Sequence, residues 1–117
     1  KKQIESFKAA CSGIVDFFSH HFHAQVELGF AALAIFMGFL LKLGLLEWCC
    51  VFMCISVVLV AEAINTSIEY LCNRVTAQHD EQIRKTKDMA AGAVLLASIG
   101  ALVVGLLIFV PKLMHLL

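Results

Sequence analysis

Apolar side chains recur at three- and four-residue intervals through the first segment of the chain, at Ile4, Phe7, Ala10, Cys11, Ile14, Phe17 and Phe18. That spacing is one face of a helix, and with Lys1, Lys2, Lys8 and Asp16 on the polar side it predicts an amphipathic helix over 4–20 lying at a membrane surface. The pattern then changes. Residues 28–41 form an unbroken apolar run, and a first spanning helix is expected over 26–46, about 21 residues, enough for a hydrocarbon core of roughly 30 Å. Lys42, Gly44 and Glu47 mark a short turn, with Trp48 beside it where aromatic anchors meet headgroups. A second apolar helix is expected over 48–72, although Glu62, Asn65, Thr66, Ser67 and Glu69 interrupt its second half. A third over 89–110 should stop at Pro111 and Lys112. The polar stretch 73–87 is too short and too charged to span and reads as a loop.

Composition agrees with this division. Of 117 residues 61% are hydrophobic and only 15% charged, so the surface is expected to face lipid, in one membrane domain covering 1–117. Formal net charge is zero, which gives no reason to expect a nucleic-acid partner. Cys11, Cys49, Cys50, Cys54 and Cys72 stand mostly in apolar stretches and read as buried small hydrophobes, with no zinc or disulfide framework. The opening Lys1-Lys2-Gln3 has no signal-peptide pattern, so the helices themselves are expected to drive insertion. One side of the membrane would collect Lys1, Lys2, Lys8, Arg74, Arg84, Lys85 and Lys87 and the other Lys42 and Lys112, which puts the N-terminus and the 73–87 loop in the cytoplasm.

The chemistry lies in the second apolar helix. Glu62, Asn65, Glu69 and Asn73 follow at i, i+3, i+7 and i+11, within an arc of about 80°. Carboxylates inside a membrane are costly to insert and point to function. Such a stripe can bind a divalent cation and accept a proton, because hard cations prefer oxygen and a poorly solvated carboxylate is a stronger base. Lys87 and Asp88 open the third span, where a helix N-terminus and a cation attract phosphate. Together they are the parts for phosphoryl transfer. Interhelical hydrogen bonding is the structural alternative for the stripe, and close helix packing is the reading of Ala93, Ala97, Ala101 and Gly105. The run His20, His21, His23 reads as headgroup-level histidines rather than a metal cluster, and Glu27, at a similar height, could line the site. No GxxxxGK[ST], GxGxxG or kinase catalytic loop occurs, so use of ATP would need a non-standard site.

The segment Glu62-Ala-Ile-Asn65-Thr66-Ser67-Ile-Glu69, followed by Lys87-Asp88-Met-Ala-Ala-Gly-Ala-Val, resembles the signature of the prokaryotic diacylglycerol kinase family, which includes undecaprenol kinases. The similarity runs from Ser6-Phe7 and Gly13 to the third span. It implies an all-α integral membrane protein of the bacterial cell (inner) membrane with three spans and an N-terminal surface helix. It also implies a homotrimer with shared sites near the cytoplasmic interface, where MgATP phosphorylates a lipid alcohol. Carried over by motif, Glu62 would be the catalytic base, Asn65 a polar positioning residue and Glu69 a magnesium ligand. Lys87, Asp88, Asn65 and Asn73 would engage the nucleotide. Two positions depart from the pattern. Asn73 stands where the family often has Asp, and His21 stands where it has a magnesium-holding glutamate; either Glu27 substitutes or the metal site is weakened. The run Ala90-Ala91-Gly92-Ala93-Val94-Leu95-Leu96 looks more like the undecaprenol kinase branch. Two other classes remain open from the residues alone: a proton- or ion-conducting small oligomer, and a non-catalytic membrane scaffold.

Overall fold

The computed structural model describes residues 1–76 and 78–117. It is all helical, with α1 at Lys2–His20, α2 at Phe22–Leu40, α3 at Leu45–Val75 and α4 at Glu81–Leu116. Three of these, α2, α3 and α4, are long and apolar enough to cross a membrane. At 1.5 Å per residue, the 31 residues of α3 and the 36 of α4 reach well beyond a hydrocarbon core of about 30 Å. Their ends therefore project as helix into the interfacial zones.

Helix seams are set by small residues at seven-residue spacing. On α2 the buried positions are Ala24, Ala31 and Gly38; on α3 they are Val51, Val58 and Cys72. A seven-residue repeat keeps one stripe of a helix facing its neighbour. α3 is the central element, packing most extensively on α4 and less so on α2, while α1 touches mainly α2. No residue of α1 is buried. Large apolar side chains such as Phe39, Leu96 and Leu107 lie more than 70% exposed, a surface suited to lipid tails or further copies of the chain.

Several boundaries differ from those expected. The first span ends at Leu40 rather than near 46, because Lys42 adopts φ 55° and closes a Schellman motif. Leu43 N–H reaches Gly38 O at 3.1 Å and Lys42 N–H reaches Phe39 O at 3.3 Å. α3 then starts at Leu45, where the Glu47 carboxylate accepts from Gly44 N–H at 2.9 Å, the reach-back half of a capping box. Glu47 thus belongs to the helix and not to the turn.

The stretch 73–87, expected as a loop, is largely helical: α3 continues to Val75 and α4 begins at Glu81. Residue 77 lies outside the described residues. Asp80 caps α4 by accepting from Gln82 N–H at 2.9 Å and Ile83 N–H at 3.1 Å, which explains the early start. At the other end α4 runs through Pro111 to Leu116. A proline removes one N–H and crowds the preceding turn, yet the continuation carries Lys112 to an ion pair of 3.0 Å with Glu47.

Two packing expectations are also corrected. All five cysteines are free and only Cys72 is buried; Cys11, Cys49 and Cys50 are exposed, because they lie off the seams. On α4 the buried residue is Ala90, with Ala97, Ala101 and Gly105 partly covered and Ala93 exposed. A four-residue repeat drifts about 40° per step around a helix, so the run from Ala93 to Gly105 spreads over about 120° and is covered unevenly. Trp48 packs inward against Phe39 and Phe52, with ring centroids at 4.9 and 5.7 Å, over Gly38.

A candidate phosphoryl-transfer site on the central helix

The seam register explains the stripe. Val51, Val58 and Cys72 are buried seam positions of α3, and Asn65 falls on the same seven-residue series. Its side chain is consequently drawn toward the helix interface: Nδ2 donates to Glu69 Oε1 at 3.1 Å, and Oδ1 is buried without a partner. A buried, unpaired acceptor is costly and calls for a ligand or a neighbouring donor. Glu62 is half-buried one turn below, and Glu27 of α2 shares a groove with Val58 and Leu59, the turn of α3 just before Glu62. Glu62 also keeps its backbone carbonyl bonded to Thr66 Oγ1 at 2.9 Å.

Toward the α3–α4 connection the stripe reaches Asn73, whose Oδ1 accepts from Lys87 Nζ at 2.6 Å. This contact joins the last turn of α3 to the second turn of α4. Asp88 is not part of it. Its carboxylate accepts from Arg84 Nη1 at 2.9 Å, and Arg84 also donates to Glu81 at 2.9 and 3.2 Å. The Arg84 hydrogen bond holds the solvent-facing Glu81 carboxyl below its ordinary value. Arg84 entered the sequence reading only as a positive charge; its three- and four-residue offsets from Glu81 and Asp88 were the missed signal.

Below Glu62 on the same side of α3 lies an apolar groove of about 570 Å³ between α2, α3 and α4. Val51, Val58, Ala31, Ala101 and Gly105 line it, and Glu27 is its charged member. An alkyl chain lying there would bring its polar end to the two carboxylates.

His21 is placed elsewhere. It is the extended residue between α1 and α2, with φ −122° and ψ 118°, and its Nε2 lies 2.7 Å from Tyr70 OH. The rings are 5.4 Å apart. Tyr70 is about 100° around α3 from Glu69, so His21 faces the flank of the stripe. Nearby, Gln25 Nε2 donates to the last carbonyls of α1, Phe18 O and Ser19 O, at 3.1 and 3.3 Å. His20 instead meets Asp16, 3.0 Å from Oδ1, and so does not share the partner of His21. Among the described residues no three His, Cys, Asp or Glu side chains gather as a metal set. Tyr70 and Gln25 escaped the sequence reading because their partners are set by the bend at His21, which has no local signature.

The sequence model described as prokaryotic diacylglycerol kinase matches residues 8–109. The chain is 34% identical over 109 residues to an undecaprenol kinase of Bacillus subtilis, covering 93% of this chain and 89% of that protein. It is 29% identical over 113 residues to a diacylglycerol kinase of Synechocystis sp., covering 96% of this chain and 65% of the relative. With its three long apolar helices and the motif residues gathered along α3 and the start of α4, the chain belongs to the prokaryotic diacylglycerol kinase family.

Proposed function

We propose that this protein is a membrane lipid kinase that transfers the γ-phosphate of MgATP to the hydroxyl of a lipid alcohol, diacylglycerol or undecaprenol. The observation that carries the reading is the alignment, along one side of α3, of an apolar groove, the Glu62–Glu27 carboxylates, the Asn65–Glu69 pair and Lys87 tethered at Asn73. In that order it matches a lipid tail, a base for its hydroxyl, oxygen donors and a cation for phosphate. Glu62 would take the hydroxyl proton as the lipid oxygen bonds to the γ-phosphorus and the bond from phosphorus to the β-bridging oxygen breaks, leaving ADP.

Magnesium fits the donor set. The unpaired Asn65 Oδ1 beside the Glu69 carboxylate offers hard oxygens, and magnesium usually completes its shell with phosphate oxygens and water. When bound it would neutralise phosphate charge. His21 does not fit, since Tyr70 occupies its Nε2 and imidazole is a poor magnesium ligand. We assign the working unit as a homotrimer in the bacterial cell (inner) membrane, with α1 on the cytoplasmic surface. The exposed apolar faces support the oligomer, and the Lys and Arg distribution supports the orientation.

Detergent-purified protein with γ-labelled ATP should label extracted diacylglycerol or undecaprenol, with Glu69→Gln raising the magnesium concentration required. Absence of label in both lipids contradicts the proposal. Cation flux in liposomes that needs Glu62 but no ATP would favour the ion-conducting reading instead.

A further inference from the structure

The start of α4 treats its cations differently. Arg84 is held by two carboxylates, Glu81 and Asp88, both at 2.9 Å. Lys87 lies one turn further on, partly covered, and its ammonium donates to the amide oxygen of Asn73 at 2.6 Å. Among the described residues it forms no ion pair. A neutral oxygen restricts a long flexible side chain but leaves its charge uncancelled, whereas a carboxylate would do the first and forfeit the second. The tether also has a direction. Asn73 lies on the face of α3 that carries Glu62 and Glu69, so the bond draws the ammonium across from α4 to the end of the stripe.

We infer that Asn73 is a positioning residue for Lys87: its amide oxygen aims the ammonium at the nucleotide phosphates while leaving the positive charge available to them. This rests on the reading of Lys87 as a phosphate contact. It differs from a direct nucleotide contact by Asn73, and it makes the absence of a carboxylate at position 73 a working feature of this chain. An acid there would turn the tether into an ion pair and compete with phosphate for the same cation.

The test is equilibrium binding of the magnesium complex of a non-hydrolysable ATP analogue to the detergent-solubilised protein, with KM for MgATP and kcat measured alongside. The variants are Asn73→Ala, Asn73→Asp and Asn73→Gln, each with Lys87 intact and in a Lys87→Ala background. With Lys87 present, Asn73→Ala and Asn73→Asp should each weaken binding about fivefold, the size of one hydrogen bond or one exposed ion pair. The loss should fall more on KM than on kcat, and Asn73→Gln, which keeps the amide oxygen, should recover part of it. In the Lys87→Ala background Asn73→Ala and Asn73→Gln, which leave the charge at position 73 unchanged, should have no further effect. Wild-type affinity in Asn73→Ala and Asn73→Asp overturns the inference, and so does an equal penalty for Asn73→Ala without Lys87, which would mean that residue 73 acts on the nucleotide directly. If Lys87→Ala alone binds as tightly as wild type, the phosphate role of Lys87 falls, and the inference with it.

Discussion

Gly38 of α2 and Trp48 of α3 approach so closely that a Cβ on the glycine would lie 2.6 Å from the indole Cη2 and 3.1 Å from Leu43 Cδ1. The tight turn between the first two spans depends on this contact. Trp48 packs against Phe39 and Phe52, so its ring can move aside only by giving up those contacts. Gly38→Ala should therefore destabilise the protein by about 1–3 kcal/mol, the usual cost of overpacking. Thermal unfolding in detergent would measure it.

Lys42 in the same turn holds a left-handed backbone, φ 55°, which glycine adopts without steric cost. Lys42→Gly should raise stability by up to about 1 kcal/mol in the same assay. A fall would show that the lysine side chain contributes more than its backbone conformation costs.

The 2.7 Å contact between His21 and Tyr70 assigns His21 to tying the α1–α2 junction to α3. Tyr70→Phe and His21→Ala should each cost about 1 kcal/mol of stability, the net worth of a typical hydrogen bond. The magnesium concentration giving half-maximal rate should not change in His21→Ala. A large increase in that requirement would return His21 to the metal site.

Glu81 is held below the ordinary carboxylate range chiefly by the Arg84 hydrogen bond. Its folded-state value is thus lower than its unfolded one. The stabilisation is present above the ordinary value of 4.5 and is lost as pH falls through the lower folded value. The Glu81 carboxyl chemical shift should titrate below that value in the wild type and move up toward it in Arg84→Ala. Coincident midpoints would contradict the bond.

The apolar spans and the acidic stripe were legible because both are periodic over many residues, and period is what a helix imposes on sequence. Glu62, Asn65, Glu69 and Asn73 could be put on one face from numbering alone. Helix ends were not legible, since they are decided by single contacts: Lys42 takes a conformation normally left to glycine, Asp80 caps a helix inside a stretch that reads as loop, and Pro111 is bypassed by a helix tied down at Lys112. The seven-residue seams were hidden behind the more conspicuous four-residue run from Ala93 to Gly105. The Asn73–Lys87 and His21–Tyr70 contacts join residues 14 and 49 apart, separations at which only the fold determines who meets whom.

The central claim is that a carboxylate below the headgroups activates a lipid hydroxyl. Initial rates of phosphate transfer from MgATP to diacylglycerol and undecaprenol, compared between wild type and Glu62→Gln at equal amounts of folded protein, test it most directly. Loss of a general base predicts a fall of about a hundredfold or more in kcat on the lipid that is phosphorylated. A Glu62→Gln protein that phosphorylates that lipid at the wild-type rate would contradict it.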